Sequence, residues 1–343
     1  MKATVGGAPM IIRNNLVEDI RGGIAEAIGN TPLVRLTRIA RDVDAEVLAK
    51  IESLNPGGSV KDRVGLAMIE DAESRGLLKP GGTIVEATAG NTGLGLAIGA
   101  ASKEYRMVFV VPDKMSQEKI DLLKAYGAEV VITATAVPPS HPDYYVNRAK
   151  SIAKNTPNSF VPDQFSNAAN PLAHYRTTGP EIWRQTQGKL DFFVAGMGTG
   201  GTITGVARFL KEKDPSVKIV GVDPQGSVYA DYKRHGTIGV AGSYKVEGIG
   251  EEFIPRIMDM NLVDEVVTVA DKDAFLTARA LARMEGILSG GSSGAALFAA
   301  LKIARDLGTR GKGKRIVVLL PDTGRNYLTK IYSDDWMKAN DFM

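Results

Sequence analysis

The chain has 343 residues, with 42 Lys and Arg against 39 Asp and Glu, three His and no Cys. That length suffices for two lobes around a cleft and a sizeable core, and a net charge of +3 spread along the chain argues against nucleic acid or an anionic membrane as a partner. Without Cys there is no disulfide, no thiolate metal site and no Cys nucleophile.

Strand-like runs alternate with helical ones almost throughout. Glu46–Ile51 reads as a strand, followed by a helix from about Val60 to Gly76 with Val64, Ala67, Met68 and Ala72 on one face. Thr83–Ala87 is a predicted strand and Asn91–Ser102 a helix of small residues. Strand Met107–Val111, helix Gln117–Tyr126 and strand Glu129–Thr133 come next. The stretch from Ala136 to Pro142, with three prolines, reads as a surface loop. Later come strand Phe192–Gly196, helix Thr202–Lys213, strand Val217–Val222, helix Lys272–Glu285, helix Ser293–Leu307 and strand Arg315–Leu320. Gly226–Ser243 is the least regular interior segment and is expected to be mobile. Repeated βα units imply an α/β protein with largely parallel sheets covered by helices. Two such sheets suit this length better than one. His141, His174 and His235 lie far apart with no carboxylate at zinc-ligand spacing, so they read as structural or solvated and no metal site is expected. No run of ~18 apolar residues is present to span a membrane. Met10-Ile11-Ile12 is cut short by Arg13, too little for a signal peptide, so a cytoplasmic location is expected.

Lys61 lies in Asn55-Pro56-Gly57-Gly58-Ser59-Val60-Lys61-Asp62-Arg63, where a glycine turn becomes a helix. A Lys at a charged helix start is commonly a solvated surface residue. Three further glycine-rich turns change that reading, each just before or at the start of a helical pattern. They are Thr88-Ala89-Gly90-Asn91-Thr92-Gly93, Gly198-Thr199-Gly200-Gly201-Thr202 and Gly290-Gly291-Ser292-Ser293-Gly294. One amine with three turns able to hold anions or a ring is the set that pyridoxal phosphate needs. The amine forms a Schiff base, backbone N–H groups hold the phosphate and a carboxylate, and a hydroxyl faces the pyridine nitrogen.

Each turn has an ordinary reading too. Gly196-Met197-Gly198-Thr199-Gly200-Gly201 matches G-x-G-x-x-G, follows a strand and opens a helix, and Asp223 ends the next strand. A nicotinamide dehydrogenase satisfies this as well as a phosphomonoester site does. Thr88–Gly93 suits a capped strand–helix turn or a carboxylate site in which the Asn91 amide reaches the cofactor. Taken alone, Gly290–Gly294 is better read as a helix cap. As a site, Ser292 offers the ring nitrogen a neutral hydroxyl, which favours loss of a β-leaving group over transamination. Glu247-Gly248-Ile249-Gly250-Glu251-Glu252-Phe253-Ile254-Pro255 reads as a hinge or as a mobile lid, and spacing does not choose.

Together these residues resemble the fold-type II pyridoxal phosphate enzymes, the cysteine synthase and cystathionine β-synthase family. The resemblance runs from Ile28-Gly29-Asn30-Thr31-Pro32-Leu33 to Asp334-Asp335-Trp336-Met337. It implies a tryptophan synthase β-like fold with the active site in the cleft between two lobes. The smaller lobe is expected over 46–165, with a mobile part at about 88–150. The larger is expected over 14–45 plus 166–337, with no separate regulatory domain. The resemblance implies that Lys61 is the Schiff-base lysine and proton carrier, and that Asn91 contacts the ring oxygen. It assigns the phosphate to Gly198, Thr199, Gly200, Gly201 and Thr202, and the ring nitrogen to Ser292. Thr88, Ala89, Gly90, Thr92 and Gln164 match positions that hold the substrate carboxylate, with Gly248 and Glu251 on the lid loop. The implied activity is β-elimination or β-replacement on serine, O-acetylserine or cysteine, with a thiol added to form cystathionine or cysteine and sulfide as a further product. A homodimer and a docking serine acetyltransferase tail are the implied protein partners.

Leu320-Pro321-Asp322-Thr323-Gly324-Arg325-Asn326-Tyr327-Leu328-Thr329-Lys330 resembles the cystathionine β-synthase branch. Leu123-Lys124-Ala125-Tyr126-Gly127-Ala128 and Thr178-Gly179-Pro180-Glu181-Ile182-Trp183 resemble cysteine synthase. Ala89 stands where the family usually has Ser, and Glu251 where it has a small residue or Tyr. Both departures bear on substrate identity. A dehydrogenase or a catalytically silent binding protein accounts for fewer of these motifs, and the intact Lys61 argues against the latter.

Overall fold

The computed structural model describes residues 20–88, 90–135, 137–138 and 140–343. Ala89, expected in the carboxylate loop, and residues 14–19 of the expected larger lobe lie outside the described residues.

The elements in chain order begin with β1 (Leu33–Arg35), β2 (Glu46–Ile51), α1 (Lys61–Ser74), β3 (Thr83–Glu86) and α2 (Asn91–Ser102). Then come β4 (Arg106–Pro112), α3 (Gln117–Ala125), β5 (Glu129–Thr133), α4 (Tyr145–Asn155) and β6 (Ser159–Phe160). The chain continues through α5 (Ala169–Arg176), α6 (Thr178–Gln185), β7 (Phe192–Gly196), α7 (Gly201–Lys213), β8 (Lys218–Pro224) and α8 (Tyr229–His235). It ends with β9 (Glu265–Val269), α9 (Asp271–Glu285), α10 (Gly291–Leu307), β10 (Arg315–Leu320) and α11 (Asp334–Ala339).

Two sheets form. The larger has six strands in the order β1-β2-β10-β7-β8-β9, and the smaller has four in the order β5-β4-β3-β6. Among the described residues only β1 runs antiparallel; the other strand pairings are parallel. Central strands are buried along nearly their whole length, as β2, β3 and β10 show, because helices cover both faces of a parallel sheet. The cores lie between each sheet and its helices. One holds Phe275, Leu297 and Ile316, another Phe193, Ile203 and Leu319. A third, under the small sheet, holds Met68, Leu96 and Phe109.

The sheet membership corrects the expected lobe boundary. Glu46–Ile51 was assigned to the smaller lobe, but it pairs along its full length with β10 in the six-stranded sheet. The small sheet starts only at Thr83. The segment Gly226–Ser243, expected to lack regular structure, contains α8, which ends at Gly236 with φ +71°. Among the described residues, no helix is long and apolar enough to cross a membrane.

The packing that positions the site is the crossing of α1 over α2. A Cβ on Gly65 would lie 2.3 Å from the Gly95 carbonyl carbon, and one on Gly95 would lie 2.2 Å from the Lys61 oxygen. Only glycine allows this approach, which presses the first turn of α1 against α2. Turns after β3, β7 and β10 open at the carboxyl ends of their strands, where ligands of open α/β sheets bind.

Candidate active site

Lys61 is half-buried at the N-terminus of α1. It lines a cavity of about 470 Å³ that also takes in Thr88, Gly90, Asn91, Thr92 and Gln164. Gly198, Thr199, Gly248, Glu251 and Ser292 also line it, whereas Gly200, Gly201 and Thr202 do not. A small chamber of about 30 Å³ adjoins it, lined by Lys61, Gly198, Thr199, Gly200, Thr202 and Gly248. Residues from 61 to 292 thus meet around one amine. Burial pushes the Lys61 ammonium below the ordinary lysine range, against the pull of Glu251 and then Asp322. That leaves more neutral amine at a given pH, the form able to attack a carbonyl.

The chamber sits at the start of α7. Gly200 has φ +85°, and a Cβ on Gly201 would fall 1.9 Å from Asn170 Oδ1. The first helical hydrogen bond there runs from Thr204 N to Gly200 O at 3.0 Å, so the N–H groups of Thr202 and Ile203 have no helix carbonyl to reach. His174 is fully buried. Its ring contacts Thr178 Oγ1 at 2.9 Å and Thr202 Oγ1 at 3.2 Å. Burial, with Arg63 and Lys61 nearby, holds the imidazole well below its usual pKa. A neutral ring fixes the Thr202 hydroxyl without adding charge. Free amides, placed hydroxyls and bare glycine backbone fit a phosphate group.

The opposite wall is the start of α2. Gly90 gives no side-chain cap, and Leu94 N bonds Gly90 O at 3.2 Å; the amides of Asn91 and Thr92 lie in the first turn, before any carbonyl of their own helix is in reach. Thr92 Oγ1 donates to Gln164 Oε1 at 2.6 Å, which turns the Gln164 amide nitrogen away from Thr92. This end suits a carboxylate. Ser292, 3% exposed, lies in the first turn of α10 on the third wall. A Cβ on Gly248 would be 4.0 Å from its hydroxyl.

Glu251 is half-buried and lines the cavity. Burial raises its carboxyl to about 7, opposed by Lys61, with Glu252 adding to the rise. Its backbone is clamped, with Glu251 N donating to Ser227 Oγ at 3.0 Å and Val228 N donating to Glu251 O at 3.3 Å. The same glycine loop is tied across the cleft mouth. Glu247 pairs with Lys119 of α3 at 3.3 Å and with Lys330. This wall and its tie to α3 fit a lid better than a bare hinge.

Asp223 answers the dinucleotide alternative. It is 0% exposed, and Ala230 N donates to its Oδ2 at 2.9 Å. A carboxylate so enclosed cannot meet a ribose. Sequence reasoning missed three side chains: Asp322 and Tyr327, both on the cavity, and His174, which holds the Thr202 hydroxyl. The position of Asp322, just past a buried strand at the carboxyl edge of the sheet, was the available signal for it.

The model of the family described as pyridoxal-phosphate dependent enzyme matches residues 24–322. The chain is 48% identical over 336 residues to cystathionine beta-synthase of Apis mellifera, covering 96% of this chain and 65% of that protein. It is 51% identical over 322 residues to cystathionine beta-synthase of Mus musculus, covering 93% of this chain and 57% of that one. It therefore spans less than two thirds of the length of these relatives. A solved structure of a hydrogen sulfide-producing enzyme from Fusobacterium nucleatum superposes with TM-score 0.82 at 40% identity, covering 89% of this chain and 97% of that one. The motifs, the cavity and these similarities agree: the chain belongs to the pyridoxal-phosphate dependent enzymes.

Proposed function

We propose that this enzyme uses pyridoxal 5'-phosphate to remove or replace the β-substituent of serine, O-acetylserine or cysteine, adding a thiol to give cystathionine or cysteine. With cysteine as donor, sulfide is the leaving group. The observation that carries the reading is the Lys61 amine, set between a helix start suited to phosphate and one suited to carboxylate. The cystathionine beta-synthase relatives support thiol addition, and the sulfide-producing neighbour supports sulfide release.

The cofactor, when bound, supplies a carbonyl for amine exchange and a ring that withdraws electrons from the substrate α-carbon. Gly198, Thr199, Gly200, Gly201 and Thr202 would hold its phosphate, Asn91 its ring oxygen and Ser292 its ring nitrogen. The start of α2, with Thr88, Gly90, Thr92 and Gln164, binds the substrate carboxylate and orients the α-carbon. Lys61 takes the α-proton at Nζ and returns it after the thiol adds. The loop from Glu247 to Pro255 closes the cavity and excludes water. The part of the smaller lobe around 88–150 moves with that closure. The deciding experiment offers the cofactor-loaded protein serine, O-acetylserine and cysteine, each with sulfide or homocysteine, and identifies products by mass spectrometry. No β-replacement or β-elimination product from any pair would overturn the reading.

A cytoplasmic homodimer is part of the same reading. Among the described residues β1 is an edge strand of the six-stranded sheet, and beside it lies a groove lined by Pro32, Val34, Leu54 and Ile287. Val34 and Leu54 are 37% and 63% exposed, apolar surface that a second copy would cover. A monomeric mass by light scattering at micromolar concentration would remove the dimer. A serine acetyltransferase tail would compete for the α2 carboxylate site, which a C-terminal peptide titration tests.

Glu251 bears on the nucleophile. Ionised, it repels sulfide and attracts the ammonium of an amino-thiol such as homocysteine or a second cysteine. The contact is worth ~1 kcal/mol at a partly screened site. Its carboxyl titrates near 7, so the preference for the amino-thiol is expected to grow as pH rises through that value. Glu251→Gln should lower kcat/KM for homocysteine and cysteine relative to sulfide and flatten this pH trend. Equal changes for all three nucleophiles would show that Glu251 does not read them.

A further inference from the structure

The turns that carry Lys61 and Ser292 meet at the carboxyl end of β10. Val60 N donates to Pro321 O at 2.8 Å and Thr323 N to Gly58 O at 3.0 Å. Ser59 and Asp322 form an antiparallel bridge. The turn before Lys61 is thereby laced to this strand end. Gly290 N reaches Asp322 O at 3.4 Å, and Ser289 bridges Thr323, which brings in the turn before Ser292. The third participant is Asn91, 231 residues distant in the chain, whose Nδ2 donates to Asp322 Oδ2 at 2.8 Å.

The Asp322 side chain is enclosed at 2% exposure. Tyr327 donates its hydroxyl to the same Oδ2 at 2.7 Å. Oδ1 has no hydrogen-bond partner and is hemmed in, since a Cβ on Gly290 would lie 2.2 Å from it. Burial raises the carboxyl to about 6, with Tyr327 and Asn91 holding it down, so it is charged at neutral pH. An ionised carboxylate only accepts hydrogen bonds, whereas an amide has one accepting and one donating end. The carboxylate therefore dictates that the Asn91 nitrogen faces it. One of the two N–H groups is used there, and the other remains for the cavity that Asn91 lines.

We infer that Asp322 is the positioning residue for Asn91: it orients the amide so that one N–H is kept for the cofactor's ring oxygen, and it locks the start of α2 to the turns bearing Lys61 and Ser292. The inference rests on the proposed cofactor site. It goes beyond that reading because Asp322 itself need not touch the cofactor.

The test compares wild type, Asp322→Asn, Asn91→Ala, the double variant and Tyr327→Phe, each loaded with pyridoxal phosphate. The readouts are the visible absorbance maximum and the cofactor dissociation constant. Asp322→Asn should shift the band in the same direction as Asn91→Ala and weaken cofactor retention on the order of tenfold, as expected for losing one charge-assisted contact. The double variant should be no worse than Asn91→Ala alone, because the two residues act as one unit. Tyr327→Phe removes the other donor to the same oxygen and should leave the band in place. Were Asp322 merely structural, Tyr327→Phe and Asp322→Asn would lower stability alike and neither would move the band. An unmoved band in Asp322→Asn, or additive losses in the double variant, overturns the inference. If Asp322→Asn fails to fold, Asp322→Ser carries the same expectations. Wild type that takes up no cofactor would sink the functional reading instead, so the two failures are distinguishable.

Discussion

Lys61→Ala is expected to abolish turnover and to remove the visible absorbance of the lysine-bound cofactor, while the protein still retains pyridoxal phosphate. The reason lies in how the site divides its labour. The proposed phosphate end draws on backbone amides of α7 and on Thr202 held by His174, and none of these needs the Lys61 amine. Proton transfer by one positioned group is worth roughly 10²–10⁴-fold. Losing Lys61 also removes the attachment through which substrate amine exchange proceeds, so the loss should exceed that range. Three measurements check it: cofactor content after gel filtration, the absorbance spectrum, and product formation from serine or cysteine. A variant with full activity would end the assignment of Lys61. A variant that loses its cofactor entirely would mean that the helix start and chamber do not hold phosphate unaided.

Much of this was legible because the relevant signals are local. Glu46–Ile51, Glu129–Thr133, Phe192–Gly196 and Arg315–Leu320 are apolar β-rich runs bounded by polar or turn residues, and each is a strand with those limits. The strands β1 and β6, of three and two residues, are too short to show any period. They exist because neighbours offer them an edge. Helices α5 and α6 carry Pro171 and Gly179-Pro180 in their first turns, where proline costs no hydrogen bond. The site divides in the same way. Lys61 and the three glycine turns carry their chemistry in contiguous residues. The pairing of Asn91 with Asp322, or of Lys119 with Glu247, depends on which strand ends meet across the cleft. No local pattern encodes a contact between residues 231 apart.

A second large effect is expected two residues beyond Lys61. Arg63 is buried at 4% exposure within a cluster that also contains Lys50, Glu52 and Glu181. Its Nε donates to Glu52 Oε2 at 2.8 Å and its Nη1 to Glu181 Oε1 at 2.7 Å. Lys50 Nζ reaches Glu181 Oε2 at 2.7 Å. Asn30 N also donates to Glu181 Oε1, at 2.9 Å. The cluster thereby ties the Gly29–Thr31 segment, β2, α1 and α6 behind Lys61. Such a group of buried charges is poor evidence of net stabilisation, since desolvation offsets much of the attraction. Removing one member is a different matter. Arg63→Met leaves two carboxylates facing a single lysine in a buried site. Breaking a buried pair costs about 3–5 kcal/mol, so the urea midpoint should fall accordingly, and kcat should drop because α1 begins at Lys61.

The acid side of the same cluster gives a second handle on it. Burial alone would raise the Glu181 carboxyl, but Arg63 and then Lys50 hold it at about 2. A carboxylate with a depressed folded-state pKa contributes stability that is present above its unfolded value and lost as pH falls through the folded one. Between the ordinary carboxylate range and about 2, wild type should therefore lose stability steadily. Arg63→Met should lose less over that window, because the group that depressed Glu181 is gone. Urea midpoints measured across this range in both proteins decide the matter. An unfolding free energy for Arg63→Met within about 1 kcal/mol of wild type at neutral pH, with the same acid slope, would show that the cluster relaxes or hydrates instead of keeping an unpaired charge.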